Sequence, residues 1–347
     1  MTEVEARRRT DAPFEARGPL SELLLGTLSS GEVDGPALLA AGRRALAGVD
    51  PVWDDDVQLS LFTLYALSYG SLAQRWAELE WSPQLIALRS LLEGSFEAAV
   101  RERVEVPPLP EPRASAVARA LFDLTGQPGG PGLARYVAHR ASLEQARELV
   151  VHRSVYTLRE ADPHSWAIPR LTGRSKAALV EIQVDEYGGG NPSRVHATIF
   201  ARTVRGMDLD DTYGAYLDHV PAITLASFNL MSLFGLHRRL RGAVVGHLAA
   251  FEMTSSIPSR LTAQGFRRLG LGPEVTDYYD EHVEADAVHE QIAAHDLAGC
   301  LVEDEPALLP DVVFGAAACL QMDEWLAEHV LGAWQEGRSS LRRPLAA

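Results

Sequence analysis

Apolar residues recur at three- and four-residue spacing along almost the whole of this chain, from Pro36 to Gln335. That is the period of one face of an α-helix, and it confines the chain to folds in which helices bury stripes against one another. No run alternates as a half-buried strand does, and no Asn-Gly hairpin joins two β-branched runs. Helices are expected over 36–47, 55–72, 82–104, 113–125, 142–161, 175–187, 194–205 and 212–218, then a long pair within 221–254, then 274–298 and 311–335. The expected fold class is all-α.

The run Val106-Pro107-Pro108-Leu109-Pro110-Glu111-Pro112 breaks this pattern and reads as a stiff linker. It separates an N-terminal helical region, 1–107, from a second domain at 113–335. All eleven histidines lie between His139 and His329, so any histidine chemistry is expected in the second domain. The N-terminal helices are expected to supply packing, a lid or a homodimer surface. Val220 to Leu236 is the longest apolar stretch, but Asn229 and two serines interrupt it and five residues with three arginines follow. A helix buried on all sides accounts for it, and no membrane span is expected.

A net charge of −15 over 347 residues argues against nucleic acid and anionic membrane surfaces as partners. Cys300 and Cys319 lack metal-site spacing and are too few for a disulfide framework. Met1 to Gly18 is charged and has no apolar export core, so a reduced, cytoplasmic protein is expected. Lys176 is the only lysine, which leaves one candidate for Schiff-base chemistry.

The second domain carries four segments with metal-ligand chemistry. In His282-Val283-Glu284-Ala285-Asp286-Ala287-Val288-His289, two imidazoles and a carboxylate stand at i, i+4 and i+7, within about 40° of one line along a helix. Such a set suits zinc or non-haem iron; a solvated face with chance histidines is the plainer alternative. Glu160 ends a helix whose preceding turns are apolar, although a helix-end carboxylate is common. Glu186 precedes Gly188-Gly189-Gly190, with His196 on the next helix; a phosphate loop would need a strand before it and Lys-Ser/Thr after it, and has neither. Glu252 interrupts an apolar stretch where an unpaired carboxylate is costly to bury. A metal would compensate it, as would Arg239 or Arg241. His247 is about 140° away around that helix and is expected to face elsewhere. Together these residues give four carboxylates and three imidazoles, the inventory from which helical bundles build carboxylate-bridged iron or manganese pairs, and too acidic for structural zinc.

Here the chain resembles the haem-oxygenase-like diiron oxidases and oxygenases over roughly 113–334. The late helix matches His-x3-Asp-x2-His through His282, Asp286 and His289; Glu186, His196 and Glu252 match the earlier helices. Glu160 and the ten-residue spacing from Glu186 to His196 are similar to the N-oxygenating subgroup; Ser193 stands where members with a closer Glu-x2-His pair carry histidine. The resemblance implies a seven-helix bundle with two iron ions (manganese is the alternative), dioxygen as co-substrate and a small-molecule substrate. It implies His282, Asp286 and His289 on one ion, Glu160 and His196 on the other, and Glu186 and Glu252 between them. The activity implied is N-oxygenation of an amine or amino-acid-derived compound, with oxidative C–C cleavage or decarboxylation as the alternative. With no haem, flavin or nicotinamide fingerprint in the sequence, electrons are expected from the substrate or an external donor. A haem oxygenase proper would use His139 or His152 as proximal ligand and leave the carboxylates unexplained. A non-catalytic metal-binding protein would show an exposed ligand set and no substrate cavity. Tyr187, Arg239 and His247 are the expected pocket residues.

Overall fold

The protein is seen in a computed structural model that describes residues 14–345 apart from 71, 73 and 127–131, with only the backbone described at 74 and 284–287. The architecture is all-α, and no strand occurs among the described residues. Packing divides the chain into two units, one of residues 1–103 with 212–229, the other of 104–211 with 230–347. The chain therefore passes through the first unit twice, where the Pro-rich run alone would place one boundary.

The first unit contains α1 (Pro19–Ser30), α2 (Gly35–Ala45), α3 (Asp55–Ala66) and α4 (Pro83–Arg103). Asp34 and Asp54 cap α2 and α3, each accepting a backbone N–H three residues on. The first half of α10 (Ala222–Leu236) belongs to the same unit. Its Asn229 is fully buried, and the side-chain amide donates to Gln58 O at 2.9 Å and Gln58 Oε1 at 2.7 Å. That pairing satisfies the amide N–H donors of the polar interruption, while Asn229 Oδ1 stays without a partner. No helix among the described residues is long and apolar enough to cross a membrane. The helix expected over 212–218 is a series of turns instead, with Gly214 at φ 88°, a conformation that breaks helical winding.

The second unit holds α5 (Ala114–Thr125), α6 (Leu133–His139), α7 (Leu143–Thr157), α8 (Gly173–Glu186), α9 (His196–Gly206), α11 (Arg241–Arg268), α12 (Pro273–Gln291) and α13 (Leu309–Gln335). Its centre is α11, packed on α6, α12 and α13. Helices α11 and α13 approach closely because Gly246 and Gly315 lack side chains; a Cβ there would lie 1.8 Å from Val312 O and 2.0 Å from Ala243 O. The helix expected to stop near Thr254 runs on through Pro258 to Arg268. Proline removes one ladder hydrogen bond there without ending the helix. Immediately after α12 the chain widens into a π-helix, Ile292–Gly299, which packs on α5, α8 and α11. The two cysteines are free and buried.

Candidate metal centre

Six of the seven expected ligands converge inside the second unit. Glu160 lies in the turn after α7, Glu186 at the last residue of α8, and His196 at the first of α9. Glu252 projects from α11, and His282 and His289 from α12. All six are buried. Ligand atoms of Glu160, Glu186, His196 and His282 lie within 4.8 Å of one another, as do those of Glu186, Glu252 and His289. Glu186 belongs to both groups. The side chain of Asp286 lies outside the described residues.

The expected partition changes in one respect. His282 joins Glu160 and His196 and does not stand with His289. Seven residues of α-helix rise about 10 Å, so His282 and His289 lie about two turns apart along α12, and the described side chains fall into separate groups.

Local sequence sets these positions. Between Glu186 and His196 the chain reverses through Gly188, Gly189 and Gly190, at φ 70°, 59° and 83°. At Gly188 a Cβ would lie 2.6 Å from Arg194 C and Val195 N, so only glycine lets the chain double back. The reversal brings His196 Nδ1 to 3.1 Å from Glu186 Oε2. On α12, His282 Nδ1 donates to Tyr278 O at 2.7 Å, which fixes the tautomer and leaves Nε2 as the electron-pair donor, 3.6 Å from Glu160 Oε1. The Tyr278 hydroxyl donates to Glu160 Oε1. Tyr278 thus positions two of the donors, and its place one turn before His282 is a signal the sequence contained. Asp185 is a second residue not foreseen: its Oδ2 lies 3.0 Å from His289 Nε2, while His289 Nδ1 lies 3.3 Å from Glu252 Oε2.

Electrostatics show what the cluster lacks. Glu160, Glu186 and Glu252 find only imidazoles as ion-pair partners among the described residues. Arg241, the alternative partner for Glu252, pairs with Glu305. Burial alone would raise Glu160, but His282, His196 and the Tyr278 hydroxyl outweigh it and hold the carboxyl below its ordinary value. Glu186 is pushed up by burial and by Glu160 and Glu252, against His196. Burial would lower His289, yet Glu252 and Asp185 raise it to about 9. Buried Glu160 Oε2, Glu186 Oε2 and His196 Nδ1 make no hydrogen bond. Three buried carboxylates, two of them with an unpartnered oxygen, are costly unless a cation answers them, and this donor set of oxygen and imidazole suits iron.

Glu160 and His282 also line a cavity of about 620 Å³, together with Tyr156, Phe251 and Tyr278. None of Tyr187, Arg239 and His247, the expected pocket residues, lines it. Tyr187 is half exposed and donates to Asp162 at 2.9 Å. His247 faces away from the carboxylates, as its helical phase predicts, with Nδ1 3.2 Å from His164 Nε2. Of the alternative haem ligands, His139 is exposed, and His152 is buried with Nε2 3.0 Å from Ser340 Oγ.

Two comparisons with known proteins bear on this arrangement. A family model described as an iron-containing redox enzyme matches residues 147–324. A nitrosourea synthase from Streptomyces achromogenes subsp. streptozoticus is 25% identical over 204 residues, which are 57% of this chain and 43% of that protein. The chain thus spans less than half the length of that relative.

Proposed function

The chain belongs to the iron-containing redox enzyme family, and from that premise we propose that it is a non-haem diiron enzyme that uses dioxygen to oxidise a small molecule at nitrogen. The observation that carries the reading is the pair of buried donor groups sharing Glu186 beside a cavity of ligand size. Glu160, Glu186, His196 and His282 would hold one ion, and Glu186, Glu252 and His289 the other. Iron held there supplies the electrons and Lewis acidity that dioxygen activation needs. An amine or amino-acid-derived substrate is favoured by the nitrosourea synthase relative, whose name records a product oxidised at nitrogen.

The chain's own residues perform the remaining work. Tyr278 locks His282 through its carbonyl and Glu160 through its hydroxyl. Such orientation keeps the donors fixed while charge changes. Tyr156 and Phe251 pack edge to face, with ring centroids 5.1 Å apart, beside the carboxylates. Both rings line the cavity and present apolar surface there, which limits water beside the donors. An external carrier supplies any electrons that the substrate does not.

Anaerobic titration with ferrous iron tests the metal reading and should saturate at two ions per chain. Dioxygen uptake by the loaded protein should then accelerate with amine-bearing compounds, and mass spectrometry should find oxygen on their nitrogen. Saturation at zero ions would overturn the reading; oxygen inserted only at carbon would replace N-oxygenation by the cleavage chemistry.

A further inference from the structure

Besides the metal donors, the cavity wall carries charged groups that make no hydrogen bond within the described protein. Arg153, on α7, lines the cavity. Asp323, on α13, lines the same space. Neither makes a hydrogen bond or ion pair with another described residue. Asp323 is partly accessible. Burial pushes its carboxyl up, with Arg153 near enough to pull against that shift. Tyr279 lines the same cavity; it is 7% exposed and its hydroxyl is buried without a hydrogen-bond partner. The same Arg153 charge acts on that phenol.

Arg153 and Asp323 thus line one cavity with no hydrogen bond to each other, and Tyr279 lines it too. Both charged groups keep accessible area, and ligand sites use a few convergent polar groups of this kind. Glu105 and Glu324 add negative charge to the lining, which disfavours a purely anionic ligand. A purely cationic ligand would leave Arg153 unanswered.

We propose that this wall is the head-group end of the substrate site and that it takes a small zwitterion, a carboxylate and an ammonium on one carbon as in an amino acid. Arg153 receives the carboxylate in its planar fork, the Tyr279 hydroxyl donates to the same group, and Asp323 receives the ammonium. A side chain of several bonds then reaches Glu160 and His282. This assignment rests on the cavity being the substrate site of the enzyme proposed above.

Calorimetric titration of the full chain without added iron tests it with three six-carbon probes, L-norleucine, hexanoate and hexylamine. Norleucine should bind at least tenfold more tightly than either singly charged compound. Arg153→Gln should weaken norleucine at least tenfold and leave hexylamine unchanged, and Asp323→Asn should weaken norleucine likewise and leave hexanoate unchanged. Tyr279→Phe should produce a smaller loss. Circular dichroism checks each variant's fold; if either neutral variant fails to fold, Arg153→Lys or Asp323→Glu replaces it, with a loss of severalfold expected. Equal binding of the three probes, indifference of norleucine to every variant, or no binding of any probe overturns the proposal. Iron stoichiometry on the same wild-type sample separates the two readings. Two ions bound without zwitterion preference sinks the head-group site alone, and zwitterion preference without iron sinks the metal centre alone.

Discussion

Replacing Gly188 and Gly189 one at a time by alanine isolates what holds Glu186 against His196. Both residues sit in the left-handed region, at φ 70° and 59°, where an L side chain costs roughly 1–2 kcal/mol. Alanine also stiffens the unfolded chain, which returns roughly 0.4–1 kcal/mol in each case. Gly189→Ala has nothing within 4 Å of its new Cβ, so about 1 kcal/mol of destabilisation is expected. Gly188→Ala places its Cβ 2.6 Å from Arg194 C and Val195 N. Those are backbone atoms and cannot swing aside, so overpacking adds about 1–3 kcal/mol, for a total of roughly 2–4 kcal/mol. The displacement falls on the residue before His196, whose Nδ1 lies 3.1 Å from Glu186 Oε2. Urea unfolding gives the stability difference, and ferrous titration gives the affinity of the group containing Glu160. Gly188→Ala should lose affinity at least tenfold and Gly189→Ala should keep it. Equal losses of stability, or intact iron affinity in Gly188→Ala, would refute the view that the tight reversal sets the ligand geometry.

Three further outcomes follow from the site. His282→Ala and His289→Ala should each reduce iron binding from two ions toward one, and the double variant toward none, by metal analysis; identical loss of both ions in either single variant would deny the two-group partition. Glu252→Gln should lower iron stoichiometry while the metal-free fold keeps its stability within about 1 kcal/mol or gains, because an uncompensated carboxylate is removed from the interior; marked destabilisation without iron loss would make Glu252 a structural residue. His152 is held down to about 3 by burial, with His329 and Arg153 adding to it. Its unfolded form takes up a proton near pH 6.5, so the stability it contributes is complete above that pH and lost as pH falls toward 3. Between pH 7 and pH 5 the loss is about 2 kcal/mol. His152→Gln should remove that share of the slope in urea unfolding, and an unchanged slope would show that His152 takes up its proton in the folded protein as it does in the unfolded chain.

Helical phase carried much of this structure in the sequence. The apolar period located α4, α5, α8, α9 and α13 to within a few residues, and the cost of burying a carboxylate singled out Glu252. Other features were not legible. The grouping of 212–229 with the first unit depends on contacts distant in sequence, such as Asn229 with Gln58. A chain cut to begin at Arg113 would therefore expose the buried half of α10. Arg153, Tyr279 and Asp323 sit in ordinary helical positions and acquire meaning only from the cavity between their helices.

The π-helical segment lies directly downstream of His289. A π turn takes in about one residue more than an α turn, so it resets the angular register of everything after it. Because the widening begins at Ile292, His282 and His289 keep the angle between them that α-winding gives, while Ala293, Ala294, Leu297 and Ala298 are turned inward. Had the widening begun one turn earlier, His289 would be rotated off the line of His282. The same placement makes the two jobs of this stretch separable: deleting one residue within 292–299 would rewind the segment and rotate the burial pattern that follows, with the angular relation of the two histidines untouched.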